Sequence, residues 1–577
     1  MPIFAAHESG DWKRARLWSL GIALTALLTV FTAGIDDAVA LPSNNVPLDD
    51  WSYAALDKLA GFGLIHSDVH GMRPYTRQEV ARLVNEALDY KEERKADLPP
   101  LIEGLLERFQ KEFREELTVY GRGKDDEPAA FVFKPIVEAK ADYVHSDGQP
   151  KDFLNVLSKG GVRQYPSGAG GIVGYEGTPL LPYKEGVVYG QGNNFSFQFA
   201  SSFQLWDLLS GWVEPIVIER GNSTAGRSTG SIPSNVGSLE NTEVDLFKGY
   251  IKFSPFDWFE AEFGRDSMWW GQGDHGTLIL TDNAAPLDML KISNSTPSLL
   301  PWYFSYLGPF KYAVFCAVLE DDRDYADTKF GGMRLDFKPI PNLEIGMSHT
   351  FMFGGQDGPS PNSFYQFVKL AALAQYSTVG VHNMAAFDWR YRMPFLWNAE
   401  FYGEWGGNDA GLKPEIRNFL FQDIGYILGL YFPRIDPQGR ADLRIEYADN
   451  VNEGGVGSKL NGMWYTHGTY TTGVTYNGLI LGDAIGPDAR DIYVRVSYYV
   501  RNNLKAGVDA EYWQTGANVG PAIESEYQTG ADITWDINPS LSAMVRYGWG
   551  AIQNFDLVRS DNRSDNLLML ELRYKFF

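Results

Sequence analysis

Residues 491–513 read DIYVRVSYYVRNNLKAGVDAEYW, and apolar and polar side chains alternate through most of this stretch. A short segment, VRNN at 500–503, separates two such runs. A repeat of two residues is the spacing of a β-strand that has one apolar face and one polar face. We therefore predict two antiparallel strands joined by a tight turn.

The same alternation recurs from about residue 130 to the C-terminus. It is clear in FKGYIKF (247–253), NMAAFDWRYRM (383–393), WNAEFYGEW (397–405) and LMLELRYKF (568–576). We count 18 or 20 strands, and residues 448–490 leave the number open. Strands that are apolar toward lipid, polar toward a lumen and aromatic near their ends are typical of transmembrane barrels. Residues 130–577 are therefore predicted to form an all-β transmembrane barrel of about 18 antiparallel strands, rather than a propeller or a secreted sandwich.

The connections between these strands are of two lengths. Short ones lie at 254–257, 338–342, 392–397, 500–503 and 537–540, and long ones lie at 146–192, 220–244, 266–298, 354–382 and 448–467. Bacterial outer-membrane barrels have short periplasmic turns and long extracellular loops. The strand WFEAEFGRD (258–266) is then expected to run outward. The chain after it is expected to emerge at the extracellular mouth or to fold back into the lumen.

The N-terminus has the features of an export signal. Lys13, Arg14 and Arg16 precede the apolar segment 17–34, and Ala38-Val39-Ala40 has the pattern of a cleavage site. We predict a signal peptide at 1–40. Without it, the 50 basic and 73 acidic residues become 50 − 3 = 47 and 73 − 4 = 69, a charge of −22. So acidic a protein is a poor nucleic-acid binder, because phosphate neutralisation drives that binding.

Residues 41–122 have a helical repeat and are predicted to form a small periplasmic α-helical bundle. Thr76 and Glu79 have the spacing of a capping box, in which each side chain bonds a backbone amide of the other residue. Leu101, Leu105 and Phe109 mark the apolar face of a later helix.

The stretch GRDSMWWGQGDHGTLILTDNAAPLDML at 264–290 carries the candidate glycan-binding residues. Sugar rings stack on indole, and polar side chains bind hydroxyl groups through hydrogen bonds. The candidates are Arg265, Trp269, Trp270, Asp274, His275, Asp282 and Asn283. The alternative is that the tryptophans pack inside a barrel plug, with the neighbouring glycines permitting tight turns.

A second cluster, LEDDRDYAD at 319–327, is rich in carboxylates. Asp322, Asp324 and Asp327 are a weak candidate Ca²⁺ site, and a solvated acidic loop is the alternative. The single cysteine excludes an internal disulfide and a cysteine-based zinc site. The chain lacks the H-E-x-x-H, G-x-S-x-G, phosphate-loop and dinucleotide motifs. We therefore expect no catalytic residues, no enzyme activity and no cofactor.

The stretch at 264–290 resembles the signature region of the Wzi family of capsule assembly proteins. That region carries Gly-Arg-x-x-x-Trp-Trp-Gly, followed by Leu-Ile-Leu-Ser/Thr-Asn-Asn-Ala. The matching positions are Arg265, Trp269, Trp270, Gly271, Leu278 to Leu280, Asn283 and Ala284. VPLDDWSYAALDKLAGFGLI (46–65) and GMRPYTRQEVARLV (71–84) resemble the helical part of the same family. Residues 46–88 are also similar, more weakly, to one S-layer homology repeat.

The resemblance implies an 18-stranded outer-membrane barrel with an N-terminal helical bundle at its periplasmic end. It implies a non-catalytic lectin that organises capsular polysaccharide or exopolysaccharide at the cell surface. The expected partners are that polysaccharide and outer-membrane lipid, and, through the helices, peptidoglycan or the polysaccharide export machinery. There are two alternatives to this lectin: a porin or channel for small solutes, and an outer-membrane hydrolase.

Overall fold

The computed structural model describes most of the chain. The described residues are 43–95, 97–123, 131–154, 172–222, 239–361, 363–371, 381–408, 424–451, 464–518 and 521–576. The predicted signal peptide at 1–40 lies outside them.

Eighteen antiparallel strands close into a barrel, which confirms the predicted fold class and the lower of the two strand counts. The wall strands are β2 (Phe131–Ser146), β5 (Gly192–Leu205), β6 (Leu209–Glu219), β7 (Thr242–Phe256), β8 (Phe259–Asp266), β10 (Leu287–Ser293), β12 (Pro309–Val318), β13 (Lys329–Ile340), β14 (Leu343–Phe353), β15 (His382–Met393), β16 (Ala399–Asn408), β17 (Ile424–Phe432), β18 (Ala441–Asp449), β21 (Ala489–Arg501), β22 (Leu504–Thr515), β23 (Glu524–Asp536), β24 (Leu541–Gln553) and β25 (Arg563–Lys575). Strand β2 pairs with both β5 and β25, so the sheet closes.

Among the described residues, seven shorter strands lie outside this regular wall. They are β1 (Met72–Arg73), β3 (Asp152–Leu154), β4 (Ile172–Tyr175), β9 (Trp269–Trp270), β11 (Ser298–Leu299), β19 (Thr475–Tyr476) and β20 (Leu479–Ile480). Strand β1 pairs with β9, β3 with β4, and β19 with β20, whereas β11 lies against the wall strand β12.

The two faces of the wall have opposite chemistry. Apolar side chains such as Phe263, Val508 and Leu572 point outward and are exposed. The inward side chains Lys252 and Arg334 are charged and completely buried. An outer belt of this kind matches lipid, and closure pairs the backbone groups that lipid could not satisfy.

Four α-helices are described: α1 (Trp51–Gly61), α2 (Arg77–Arg94), α3 (Pro100–Glu112) and α4 (Phe364–Ala371). The Thr76 hydroxyl accepts a 3.0 Å hydrogen bond from the Glu79 backbone N–H, as the capping box predicts. The predicted return bond from Glu79 to the cap is wrong, because the Glu79 carboxylate accepts from Arg82 Nε (2.8 Å) and Nη2 (2.9 Å) instead.

The first three helices cover one end of the barrel, which we call the helical end. Here the Asp68 carboxylate binds Lys338 Nζ at 2.6 Å and Arg392 Nη2 at 3.0 Å, and Lys58 pairs with Asp442 at 2.7 Å. The tight turns, for example 257–258 and 502–503, lie at the same end. We call the opposite end, where the long connections lie, the loop end.

The lumen contains a plug made by connections that fold inward. A large buried core joins side chains of β3, β4, residues 268–287 and residues 464–485 to inward side chains of the wall. Of this region the structure describes residues 450–451 and 464–488, and these contribute the hairpin β19–β20 to the plug and no strand to the wall between β18 and β21.

The prediction of a continuous loop at 266–298 is wrong, because β10 lies within it. Strand β10 reads LDMLKIS, and its inward face combines Leu287 and Met289 with Lys291. The apolar pair packs against the plug, while Asp288 on the outward face binds Arg265. Each face therefore mixes apolar and charged residues, and this conceals the repeat of two.

Candidate functional site

Residues 267–286, which we call the inner loop, turn from β8 into the lumen before the chain returns to the wall at β10. The second of the two predicted courses is thus the observed one. The Trp270 backbone N–H donates to the Leu280 carbonyl oxygen at 2.9 Å, so the loop doubles back on itself. The Gly271 N–H donates to the Gly71 carbonyl oxygen, also at 2.9 Å, and joins the loop to the helical end.

Three wall glutamates, Glu344, Glu404 and Glu446, hold this loop. Glu344 accepts a hydrogen bond from Gln272 Nε2 at 2.9 Å. Glu404 accepts from the backbone N–H groups of Gly273 and Leu278, both at 2.9 Å. Glu446 accepts from the backbone N–H groups of Asp274 at 3.0 Å and His275 at 3.1 Å. Buried backbone donors must be paired, and this loop lies too far inside to pair with the wall ladder. The wall glutamates supply that pairing.

Trp269 and Trp270 are both buried, with exposed fractions of 6% and 1%. They form β9, which pairs with β1 so that Arg73 faces Trp269 and Met72 faces Trp270. Trp269 Nε1 donates to the Gly273 carbonyl oxygen at 3.0 Å, and the Trp270 ring packs edge-on against Phe315 of the wall at 5.2 Å. The structure therefore favours packing over exposed stacking: a sugar ring cannot reach Trp270 while the plug is folded.

Gly271 is required by its surroundings. Its φ of +142° lies in a region that disfavours other residues, and a Cβ there would meet Glu404 Oε1 at 2.3 Å. The signature sequence Trp-Trp-Gly therefore describes a loop that passes very close to a wall glutamate.

Asp274 faces two arginines, whereas His275 faces carboxylates of the wall. The Asp274 carboxylate pairs with Arg444 of the wall and with Arg73 Nη2 at 2.9 Å. Burial opposes ionisation, but the charges of Arg444 and Arg73 hold the pKa of Asp274 well below its usual range. Burial also disfavours the charged form of His275, yet neighbouring carboxylates, Glu511 first, raise its pKa to about 10. Both residues are thus charged at neutral pH and tie the loop to the wall.

Asp282 and Asn283 belong to the part of the inner loop that contacts the rest of the plug. Asn283 Nδ2 donates to the Ile480 carbonyl oxygen at 2.9 Å, and this fixes the loop against β20. Asp282 is 7% exposed, and its Oδ1 atom has no hydrogen-bond partner among the described residues. Asn283 has a packing role here, whereas Asp282 is a buried carboxylate with incomplete pairing.

Arg265 lies away from the other candidates, on the outer surface of the barrel. Its guanidinium makes a two-point ion pair with Asp288 (2.9 and 2.8 Å) and contacts Asp245 Oδ2 at 3.1 Å. It also donates to the Leu246 carbonyl oxygen at 2.8 Å. Outward-facing Phe263, two residues away on the same strand, is 71% exposed. The structure therefore separates Arg265 from the lumen and from the tryptophan pair.

The acidic cluster at the loop end joins two long connections. Asp324 accepts hydrogen bonds from the Thr471 hydroxyl (3.2 Å) and the Thr472 hydroxyl (2.7 Å). Asp327 Oδ2 accepts from Gln356 Nε2 at 3.3 Å, whereas Asp322 is exposed. These contacts show that two of the three carboxylates of the candidate Ca²⁺ site bind protein donors, and the site itself stays a prediction.

The sequence did not reveal the most important contacts of the inner loop. The wall glutamates could be recognised only as polar positions of alternating strands, and the two-residue strand β1 gives no periodic signal. Two cavities, of about 330 and 340 Å³, lie at the helical end between the helices and the wall. Neither is lined by the inner loop, and the loop itself offers buried, tightly paired groups rather than an open reaction site.

A pH-dependent stability is expected from Asp282. Burial, and then the charge of Glu185, raises its pKa to about 7, above the value of about 3.9 in an unfolded chain. The folded state therefore binds this proton more tightly, and the stability that it contributes is present below about pH 4 and lost as the pH rises through 7. Asp282→Asn should melt nearly like the wild type near pH 4 and be more stable at pH 9, by on the order of 2–4 kcal/mol.

The measurement is the melting temperature of both proteins in detergent at pH 4 and pH 9. Asp321→Asn, which changes an exposed carboxylate at the loop end, is the matched control and should leave the profile unchanged. Equal destabilisation by Asp282→Asn at both pH values would contradict the assignment, since it would mean that the carboxylate is needed for its contacts.

A closed 18-stranded barrel with an apolar outer belt and a plugged lumen defines a bacterial outer-membrane β-barrel protein. The chain belongs to the family described as capsule assembly protein Wzi, whose pattern matches residues 162–567, more than half of the chain. Within the described part of the chain, every helix is too short or too polar to span a bilayer.

Individual relatives agree with this family. An uncharacterised 55.8 kDa protein of the cps region of Klebsiella pneumoniae is 27% identical over 263 residues, which are 43% of this chain and 47% of that protein. The aligned part thus spans about half the length of this curated relative. Among solved structures, Wzi of Escherichia coli has a TM-score of 0.64 at 18% identity and covers 93% of this chain and 99% of its own. OccD3 of Pseudomonas aeruginosa reaches only 0.39 at 10% identity, covering 77% and 91%.

Proposed function

We propose that this protein is a non-catalytic outer-membrane lectin that binds capsular polysaccharide or exopolysaccharide at the cell surface. The observation that carries the proposal is the family match over residues 162–567. The Escherichia coli protein with the same fold is described as a carbohydrate-binding β-barrel involved in group 1 capsule assembly. The helical end, where β2 begins and β25 ends, would face the periplasm, and the loop end would face the medium.

The inner loop would have a structural role in this function. Its tryptophans are buried, and its amides are held by the wall glutamates, so it would build the platform beneath the glycan rather than contact it. Contact would come from the loop end, where Tyr365 on α4 is 49% exposed and the carboxylates of Asp321 and Asp322 are exposed. Aromatic rings and carboxylates at one surface offer stacking and hydroxyl hydrogen bonds together.

The test is binding of the purified protein to the surface polysaccharide of its own host, measured by isothermal titration. Tyr365→Ala should weaken binding about fivefold to tenfold, or roughly 1–1.4 kcal/mol, through the loss of one stacking ring. Trp302→Ala removes a tryptophan that is 72% exposed at the helical end, and it should leave the affinity unchanged. Equal losses in both variants would contradict contact at the loop end.

A deletion strain tests the function in the cell. Polysaccharide should appear in the medium while its total synthesis continues, since no bond is made or broken by a lectin. Unchanged retention on the surface would refute the proposal. A steady conductance in planar bilayers would favour the porin alternative instead.

A further inference from the structure

His275 brings one imidazole of the inner loop against two carboxylates of the wall. Its Nε2 atom lies 3.8 Å from Asp491 Oδ2 and 3.5 Å from Glu511 Oε1. One ligand atom from each of the three residues lies within 4.8 Å of the other two. Within the described ranges, no other three His, Cys, Asp or Glu side chains meet in this way. The group belongs neither to the tryptophan pair nor to the acidic cluster at the loop end.

Neighbouring strands of the wall fix the positions of these ligand atoms. Asp491 lies on β21 and Glu511 on β22, and Glu511 faces Tyr493 across the pair. The Tyr493 ring stacks on the imidazole of His275, with centroids 3.7 Å apart and planes 6° from parallel. Glu446 holds the backbone N–H of His275 at 3.1 Å. Both the ring plane and the backbone of His275 are therefore set before any ligand arrives, which is what a metal site requires.

The charge at this point is incompletely balanced. No lysine or arginine of the described residues forms an ion pair with Asp491 or Glu511, so the two carboxylates share His275 as their partner. Their side chains are only 3% and 9% exposed, so water compensates little of the charge. Buried charges need partners, and a divalent cation in place of the ring proton would balance both carboxylates.

We propose that His275, Asp491 and Glu511 form a three-ligand site for a first-row divalent metal ion such as Zn²⁺. Tetrahedral bonds of about 2.0–2.2 Å place ligand atoms roughly 3.3–3.6 Å apart, and the separations of 3.5 and 3.8 Å from His275 are close to that range. The two carboxylate oxygens lie within 4.8 Å of each other, so rotation of their side chains would complete the geometry. A nitrogen with two carboxylate oxygens favours such metals over Ca²⁺ and Mg²⁺, which prefer oxygen alone. Water would occupy the fourth position.

The consequence would be a cross-link between the plug and the wall. His275 belongs to the inner loop, whereas its two partners belong to β21 and β22, so one ion would join parts of the protein more than 200 residues apart in sequence. The His275 side chain is 15% exposed, which gives a cation a route from solvent. A ligand that binds only the folded state stabilises it in proportion to the logarithm of its concentration.

The experiment uses the full-length protein in detergent, stripped with EDTA and dialysed against metal-free buffer. Titration with ZnCl2, followed by elemental analysis, should give one Zn²⁺ per chain, and Co²⁺ should give the visible absorption of a four-coordinate site. Zn²⁺ should raise the melting temperature of the wild type. His275→Ala and Glu511→Gln should each weaken Zn²⁺ binding at least tenfold and abolish the increase in melting temperature.

His145→Ala is the matched control, because this exposed histidine of β2 contacts Asn193 and forms no ion pair with any described carboxylate. It should bind Zn²⁺ like the wild type. Each variant is first shown to be folded by its faster migration on gels without heating; Glu511→Gln, which keeps the side-chain shape, tests the site if His275→Ala misfolds. Absence of Zn²⁺ binding at 100-fold excess over the protein, or equal binding by Glu511→Gln and wild type, would overturn the proposal.

Discussion

Trp270→Ala is expected to lower the free energy of unfolding by about 3–5 kcal/mol, the range found when a buried aromatic side chain is removed from a core. Trp270 is 1% exposed and belongs to the plug core. Its backbone pairs with Met72 of β1 and with Leu280 of the inner loop, and its ring packs against Phe315 of the wall. Alanine would keep the backbone pairing but leave a cavity in this core, and the rigid wall cannot collapse to fill it.

Equilibrium unfolding by guanidinium in detergent micelles measures this loss. Trp302→Ala is the matched control, since that tryptophan is 72% exposed at the helical end and should change the stability by less than about 0.5 kcal/mol. If Trp270→Ala kept its stability but lost polysaccharide binding, the tryptophan would be a stacking surface, and the packed arrangement would not be the functional one.

The sequence was sufficient to predict the barrel, because the repeat of two is a local property of each strand. It was sufficient for the helical character of the N-terminal segment, and for the hydrogen bond that the Thr76 hydroxyl accepts, for the same reason. It also left two courses open for the inner loop, and the structure takes the inward one. Strand β10 was missed because Asp288 is paired on the outer face and Met289 packs on the plug, so that each face mixes polar and apolar residues.

The contacts of the inner loop could not be predicted from local patterns. Glu404 meets the amides of Gly273 and Leu278 only because closure of the barrel sets β16 opposite that loop. The register between non-neighbouring strands depends on the stagger of the whole barrel, which no single strand encodes. The same holds for β1, whose two residues pair with β9 about 200 positions later. The identity of a signature residue was therefore visible in the sequence, and its role was not.

Buried ion pairs also organise this lumen, and Arg334 is the clearest example. Its five N–H donors are all used: Asp336 accepts at 2.9 and 2.6 Å, Asp388 at 2.8 and 2.9 Å, and the Ser348 hydroxyl at 2.6 Å. All three charged side chains are at most 1% exposed. A Cβ on Gly71 of the helical end would lie 2.1 Å from Arg334 Nη2, so this guanidinium also supports the contact with the helices.

Arg334→Leu is expected to destabilise the protein by about 3–5 kcal/mol, because it leaves Asp336 and Asp388 buried without a cation. Arg334→Lys should lose less stability, because the ammonium keeps the positive charge. It should still lose some, because one ammonium cannot bind both carboxylates in the same planar geometry. Adding Asp336→Asn and Asp388→Asn to Arg334→Leu removes the uncompensated charge and should recover a substantial part of the loss. The measurement is again guanidinium unfolding in micelles.

The control is Arg122→Leu, which breaks ion pairs with Asp89 and Glu92 on the helices, where these partners are 52% and 63% exposed. Exposed pairs contribute little, so this change should cost less than about 1 kcal/mol. The contrast tests burial rather than the number of hydrogen bonds, because both arginines make several. If Arg334→Leu proved as mild as Arg122→Leu, water would have to reach Asp336 and Asp388, and the lumen beneath the plug would be wet and open to solutes. A recovery in the triple variant would instead show that the uncompensated charge of Asp336 and Asp388, rather than the lost packing of the guanidinium, causes most of the destabilisation.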